Sequence, residues 1–263
     1  MAQGRGRIRL WDLGSGLALN EVRDFLQETF GPALDCSRPQ RLLPDAKLPS
    51  LARALMPWRV ADPGRLGLTG ARHTPKELEA MVRILRGTAD PPERRATLVS
   101  GLGLASALVP FVPSNFGNGS HHLIFTSALP VSWEPSDCRF HARALVCAFP
   151  SIVSTSGAVE GPARPRAMYV AKMMGITDEE ARKKYIGRYL EHGDARLVEI
   201  AKGLSAQAVF YNLTGQPFCE KESCRLFNAR WQEQLVEAQI KSGRFCEQHG
   251  RFLKELRRQR AKR

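Results

Sequence analysis

The first thirty residues change from the period of a β-strand to that of an α-helix. Ile8-Arg9-Leu10-Trp11 has the character of a strand, and apolar residues recur at helical spacing from Val22 to Phe30. Asn20 is a good N-cap and Gly31 a good helix stop, so we predict a helix between them. A strand that leads into an amphipathic helix is a typical α/β opening.

A capping box predicts another helix farther along the chain. Thr74 and Glu77 have the required spacing, and Pro75 occupies the first helical position. The apolar residues that follow lie on one helical face, and Gly87 ends the pattern. We expect a short helix within 48–55 and a loop at 90–93.

The central region predicts strands separated by polar loops. Leu123 to Thr126 and Arg143 to Phe149 have strand character, and the polar segment Trp133 to Arg139 joins them. We expect a mobile turn at Asn115 to Ser120. We expect no regular structure from Gly157 to Pro165, because Pro162 and Pro165 interrupt it.

The last ninety residues are almost entirely helical in pattern. Thr177 and Glu180 form a second capping box, and Asp194 precedes a long apolar helix that ends at Gly215. Two further helices are predicted, over 228–240 and from Phe245 onward. We therefore predict an α/β fold with an α/β region, 1–176, and a helical C-terminal subdomain, 177–263, joined as one integrated domain.

Four residues of this subdomain have the spacing of a zinc site. Cys219 and Cys224 form a C-x4-C pair, Cys246 and His249 form a C-x2-H pair, and twenty-one residues separate the pairs. Thiolates and imidazoles in two short pairs supply the tetrahedral ligands of structural Zn²⁺. A four-ligand site leaves no open position for a substrate, so we expect a structural zinc ion here.

The charge and the hydropathy of the chain indicate its cellular location and its possible partners. The formal net charge is +13, and a cluster of cations from Arg251 to Arg263 could contact the phosphates of a nucleic acid. The longest apolar stretch, Leu98 to Val112, is too short and interrupted to span a bilayer, and no signal peptide is evident. We expect a cytoplasmic protein without a membrane partner.

The cysteine pattern resembles that of the archaemetzincins, archaeal zinc metallopeptidase-like proteins. Their signature is HExxHxxGxxH, followed at once by C-x4-C, a methionine two residues later, and a C-x2-C pair. Gly215, Cys219, Cys224 and Cys246 match this signature, and His249 stands in place of the last cysteine. The resemblance implies a metzincin-like mixed sheet with packed helices and a closed zinc site.

The catalytic part of the signature is absent. The family's three histidine ligands correspond to Ala208, Asn212 and Phe218, and its general base corresponds to Val209. Leu226 replaces the methionine. Metal-assisted hydrolysis needs about three ligands, an open position and a base within reach. The resemblance therefore implies the scaffold and not the peptidase activity.

Three functions remain open at the level of sequence. The first is a structural-zinc protein that binds a ligand or partner in the relic cleft without hydrolysing it. The second is a metal-dependent hydrolase whose active site has moved to His122, His141 and Glu160. The third is a zinc-stabilised nucleic-acid binder that uses the basic C-terminal tail.

Overall fold

The computed structural model describes residues 6–31, 33–113 and 120–261, with side chains up to residue 258. Its N-terminal half contains the following elements in chain order: β1 (Gly6–Leu13), α1 (Leu19–Phe30), β2 (Leu34–Cys36), β3 (Gln40–Arg41), α2 (Leu48–Leu55), β4 (Arg59–Val60), α3 (Pro75–Arg86), α4 (Pro91–Ala96), β5 (Leu98–Ser100), α5 (Gly101–Leu108), β6 (Ser120–Thr126) and β7 (Leu129–Glu134).

The C-terminal half is richer in helix. It contains β8 (Arg139–Ala142), β9 (Leu145–Val146), β10 (Ser151–Ser154), α6 (Thr155–Glu160), α7 (Arg166–Met173), α8 (Asp178–Lys184), α9 (Leu197–Thr214), α10 (Gln232–Val236), a π-helical turn (Glu237–Ser242) and α11 (Glu247–Ala261). Among the described helices, none combines the length and apolar character needed to cross a membrane.

The strands form two mixed sheets, which confirms the predicted α/β class. The larger sheet has the order β2-β1-β6-β10-β9, with β3 also beside β1, and only β9 runs antiparallel to its neighbour. The smaller sheet has the order β4-β5-β7-β8. The strand β9 therefore forms an edge of the larger sheet.

The larger sheet is covered on both faces, because its strands alternate side chains between two cores. Ile8 and Phe125 point to one core, which is closed by α1, α9 and α11. Leu13 and Ile124 point to the other, which is closed by α2, α3 and α5. The first core contains residues from the predicted α/β region and from the predicted helical subdomain, and both parts fold around it.

Local end signals placed several helices correctly. Both capping boxes are formed, since Thr74 accepts a hydrogen bond from the Glu77 backbone and Thr177 accepts one from Glu180. Gly87 and Gly215 end α3 and α9 in the left-handed conformation that glycine adopts without strain.

Two local predictions for the first hundred residues were wrong. The helix α1 begins at Leu19, whose side chain is buried, and Asn20 lies inside the helix instead of capping it. Residues 90–93 are not a loop. The Asp90 side chain accepts a hydrogen bond from the Glu93 backbone and caps α4, whose first turn tolerates Pro91 because no donor is needed there.

The central region differs most from its prediction. The polar segment from Trp133 to Arg139 is a hairpin between β7 and β8, and the strand predicted over 143–149 is reduced to β9. The buried strand β10 was not predicted. Gly157 to Glu160 lie in α6, which ends before Pro162. The turn predicted at Asn115 to Ser120 lies outside the described residues, except for Ser120.

Candidate metal centre

The four predicted zinc ligands converge on one point. Their ligand atoms all lie within 4.8 Å of one another. Cys219 and Cys224 lie in the loop that follows α9, whereas Cys246 and His249 lie at the start of α11. The cluster therefore joins the end of one core helix to the beginning of another.

The spacing of the ligand atoms suits Zn²⁺. Zn–S and Zn–N bonds in a tetrahedral site place neighbouring sulfurs about 3.8 Å apart and sulfur and nitrogen about 3.5 Å apart. The Sγ atoms of Cys219 and Cys246 are 3.9 Å apart. His249 Nδ1 lies 3.7 Å from Cys224 Sγ and 3.1 Å from Cys246 Sγ. The three thiols and the imidazole fit one tetrahedral ion.

Backbone amides already point at the sulfurs. The amide of Lys221 donates to Cys219 Sγ at 3.4 Å, and the amides of Leu226 and Cys246 donate to Cys224 Sγ at 3.5 and 3.4 Å. Such N–H···S bonds stabilise negative charge on the sulfur. The loop is therefore organised to hold thiolates.

The protonation preferences of two of these residues favour a cation at this position. Burial raises the pKa of the Cys224 thiol to about 12, so a thiolate at this position needs a nearby positive charge. Burial and the Lys221 cation lower the pKa of His249, which favours the neutral imidazole that a metal binds.

Buried side chains that the sequence analysis missed hold this loop in place. The Gln207 side chain, on α9, donates to the carbonyl of Phe227 at 3.0 Å. The Gln239 side chain donates to the carbonyl of Arg225 at 2.7 Å. Both amides are almost fully buried. The only signal in the sequence was a glutamine within an apolar helical face. That pattern does not identify the hydrogen-bond partner of the glutamine.

A cavity with a volume of about 810 Å³ lies next to the loop that carries Cys219, since the neighbouring Phe218 lines it. We call it the cleft. Its walls include Glu134, Asp137, His141, Arg143 and Leu145 on the strand side, and Leu204, Gln207, Phe218, Phe227 and Arg230 on the helix side. A second cavity of about 510 Å³ shares Phe218, Phe227 and Arg230 with the cleft and adds Trp231.

Most of the positions that the archaemetzincin resemblance assigns to catalytic groups do not line the cleft. Ala208 and Val209 are fully buried in the first core, and Leu226 is buried too. Asn212 is half-buried and does not line the cleft. Phe218 does line it, with 42% of its surface exposed.

The structure does not bring His122, His141 and Glu160 together. His122 is buried and accepts a hydrogen bond from Trp11 Nε1 at Nδ1. His141 contacts Asp137, and Glu160 contacts His192. Within the described ranges, the Cys/His cluster is the one group of three or more metal-ligating side chains that converges.

Part of the basic C-terminal tail is hydrogen-bonded to the end of α1. Arg257 donates to the carbonyls of Glu28 and Thr29 at the end of α1, at 2.7 and 3.0 Å. Arg251 and Arg258 each lie 3.4 Å from a glutamate of α11. Arg257 therefore has a structural role, and the contact of this tail with nucleic acid stays a prediction.

A family model described as "Probable metallopeptidase family (DUF6775)" matches residues 8–256. The chain belongs to this family. The match includes most of the larger sheet, the smaller sheet, the cleft and the four candidate metal ligands. Comparisons with the curated proteins and with the solved structures find no match.

Proposed function

We propose that this chain is a non-hydrolysing member of the probable metallopeptidase family, with a structural zinc ion beside a cleft that binds an extended peptide. The convergence of Cys219, Cys224, Cys246 and His249 carries this proposal. Three sulfurs and one nitrogen fill a tetrahedral shell, so no position is left for water or a substrate carbonyl.

The location of the cluster supports a structural role for the ion. Zinc would tie the loop after α9 to the first turn of α11, and both helices contribute to the first core. Structural zinc contributes about 10–16 kcal/mol of apparent folding free energy in small zinc-finger peptides. Even a fraction of this value would fix how the C-terminal helices pack.

The absence of a catalytic ligand set from the positions that the resemblance assigns supports the lack of hydrolysis. The archaemetzincin resemblance places the catalytic histidines at Ala208, Asn212 and Phe218, and none of these side chains can act as a zinc ligand of the usual kind. Val209 stands in place of the general base and is buried among apolar residues. A catalytic metal would therefore lack both ligands and a base in this helix.

The edge strand β9 supports binding of an extended chain. The Ser154 amide donates to the carbonyl of Ala144, so that carbonyl points towards β10. Peptide groups alternate sides along a strand, and the N–H and C=O of Leu145 therefore point away from β10. Leu145 lines the cleft. A peptide in the cleft could add to this edge by main-chain hydrogen bonds.

The cleft walls suit a peptide with alternating side chains. Leu145, Leu204 and Phe218 offer apolar surface, whereas Glu134 and Arg143 offer charges of both signs. This mixture matches an extended polypeptide better than a uniformly charged or uniformly apolar ligand.

The test is to incubate the zinc-loaded protein with a peptide digest of an unfolded protein. We expect peptides to co-purify with the chain and to remain intact by mass spectrometry. Leu145→Pro removes the outward amide, whereas Leu145→Ala keeps it, so the proline variant should lose peptides that the alanine variant retains. Zinc-dependent shortening of the peptides, or equal retention by both variants, would refute the proposal.

A second candidate is hydrolysis by a base within the cleft. His141 Nε2 lies 2.7 Å from Asp137 Oδ2, and both residues line the cavity. An oriented histidine is a general-base arrangement, although an Asp–His pair is also a common surface contact. Cleavage of the digest that disappears in His141→Ala would support this candidate instead.

A further inference from the structure

Three arginines on two adjacent segments, one of which lines the cleft, have no acidic partner among the described residues. Residues 163 and 231 form a parallel bridge, in which the Ala163 amide donates to the Arg230 carbonyl and the Gln232 amide donates to the Ala163 carbonyl. This bridge brings the segment that contains Arg164 and Arg166 next to the segment that contains Arg230. Within the part of the chain that the structure describes, none of the three arginines forms an ion pair.

Aromatic rings lie between these cations. The Arg166 guanidinium lies over the Trp231 ring, 5.4 Å from its centroid, and Tyr169 packs edge-on against the same ring at 6.5 Å. Tyr169 is 46% exposed. We call Arg164, Arg166, Tyr169, Arg230 and Trp231 the basic–aromatic surface.

Arg164 is the most constrained of the three cations. Its guanidinium stacks on the Tyr189 ring at 4.2 Å, and its buried Nη1 has no hydrogen-bond acceptor. A buried guanidinium N–H without an acceptor is costly unless an anion or water satisfies it. Glu233, two residues after Trp231, is paired with Arg188.

We infer that the basic–aromatic surface binds single-stranded nucleic acid. Unpaired guanidinium groups can contact successive phosphates, and exposed aromatic rings can stack with unpaired bases. The cavity of about 510 Å³ that Phe218, Phe227 and Trp231 line opens beside Arg230 and offers room for a base. The net charge of +13 favours the encounter with a polyanion.

A membrane is a less suitable partner for this region. Met173 and Met174, at the end of α7, are 88% and 79% exposed and could insert into lipid. However, Asp178, Glu179 and Glu180 follow within a few residues, at the start of α8. Their charges would repel the anionic headgroups that the arginines attract.

The experiment is fluorescence anisotropy of the full zinc-loaded chain with labelled oligo(dT) and oligo(U) of about twenty nucleotides, in about 50 and about 200 mM salt. We expect binding that weakens with salt. Arg164→Gln combined with Arg166→Gln should weaken it about tenfold or more at low salt. The slope of log K against log salt should decrease in magnitude by about 1.4, or about 0.7 per lost phosphate contact.

The matched control is Arg251→Gln combined with Lys254→Gln on α11. It removes the same charge from the basic tail and should retain most of the binding. The pair Arg166→Gln and Tyr169→Ala changes only exposed side chains and leaves Arg164 in place, so it serves if the first double variant is unstable. Zinc content and the melting temperature verify that each variant is folded.

Several results would overturn the inference. These are no oligonucleotide binding by the wild type, undiminished binding by the folded Arg164/Arg166 variant, or a greater loss in the tail control. Arginine-dependent binding to phosphatidylserine vesicles without oligonucleotide binding would assign the surface to lipid instead. Leu145 lies outside the basic–aromatic surface and does not line the cavity beside it, and the peptide assays change Leu145 alone, so either proposal can fail alone.

Discussion

The ring of Phe210 packs edge-on against the imidazole of His249, with ring centroids 5.4 Å apart and an interplanar angle of 86°. Phe210 lies on the core side of α9, and His249 offers the one nitrogen atom of the candidate metal centre. The same phenyl ring also contacts Phe245 and Phe252, on either side of the ligand pair Cys246 and His249. The core helix α9 therefore contacts the candidate ligand His249 directly.

The Phe210→Ala variant should lose both stability and zinc affinity. Truncation of a buried phenylalanine costs about 3–5 kcal/mol, and the cavity would free the His249 ring to rotate. Urea unfolding and competition with a chelator measure the two effects. Leu102→Ala, at a side chain that is 71% exposed, is the control and should change neither quantity much. If Phe210→Ala retained wild-type zinc affinity, the ring would have no role in orienting the ligand.

Removal of one sulfur ligand should destabilise the C-terminal helices. Cys224→Ser replaces a fully buried sulfur that accepts two backbone amides, and we expect a loss of about 3 kcal/mol or more. A chelator should lower the melting temperature of the wild type to a similar extent. Cys138→Ser changes an exposed cysteine outside the cluster and should leave the melting curve unchanged. Equal stability of the two variants would contradict a structural metal.

His122 should make the protein less stable in acid. Burial and the nearby Arg9 cation lower the pKa of this histidine to about 4, below its ordinary value of 6.5. Between these values the unfolded chain binds the proton and the folded chain does not, so stability falls as the pH drops from about 6.5 to about 4. The loss of unfolding free energy that His122 causes reaches about 3 kcal/mol near pH 4.

The measurement for His122 is urea unfolding at several pH values, for the wild type and for His122→Gln. The zinc ligands titrate in both proteins, so the difference between the two curves isolates His122. We expect this difference to change through that pH window. A difference that stays constant with pH would mean that His122 is not neutral and buried in the folded chain.

Gly203→Ala should reverse the usual effect of alanine in a helix. Alanine normally stabilises a helix interior by about 1 kcal/mol relative to glycine. At this position of α9, a Cβ atom would lie 1.6 Å from Oε1 of Gln239, so we expect a net loss of about 1–3 kcal/mol.

A double-mutant cycle tests the cause of that loss. In a Gln239→Ala background the clash is absent, and Gly203→Ala should then be neutral or stabilising in chemical unfolding. The same loss in both backgrounds would show that the glycine is needed for another reason.

Local sequence signals were sufficient to predict several helix ends. Elements that depend on long-range contacts could not be predicted in the same way. Thr74, Thr177, Gly87 and Gly215 act on their own helix ends, so the sequence was sufficient to place those ends. The strand β10 is four residues long and buried between β6 and β9, and its parallel partner β6 lies well before it in the chain. Neither its period nor its length separated it from a buried loop.

The candidate metal centre also combines features that the local sequence predicts with features that depend on long-range packing. Paired ligands at short spacing predicted the convergence of Cys219, Cys224, Cys246 and His249, because the chemistry of zinc constrains that pattern. Phe210 and His249 lie on two different helices, so no periodic pattern in the sequence indicates that they are in contact. The cleft likewise depends on how β9 and α9 are placed by the shared core.

Zinc K-edge X-ray absorption of the purified chain tests the central claim most directly. The account predicts about one zinc per chain, with three sulfurs at about 2.3 Å, one nitrogen at about 2.0–2.1 Å and no bound water. Cys246→Ser should lower the sulfur count by one. A first shell that contains a water oxygen, or nitrogen and oxygen ligands without sulfur, would contradict a closed structural site.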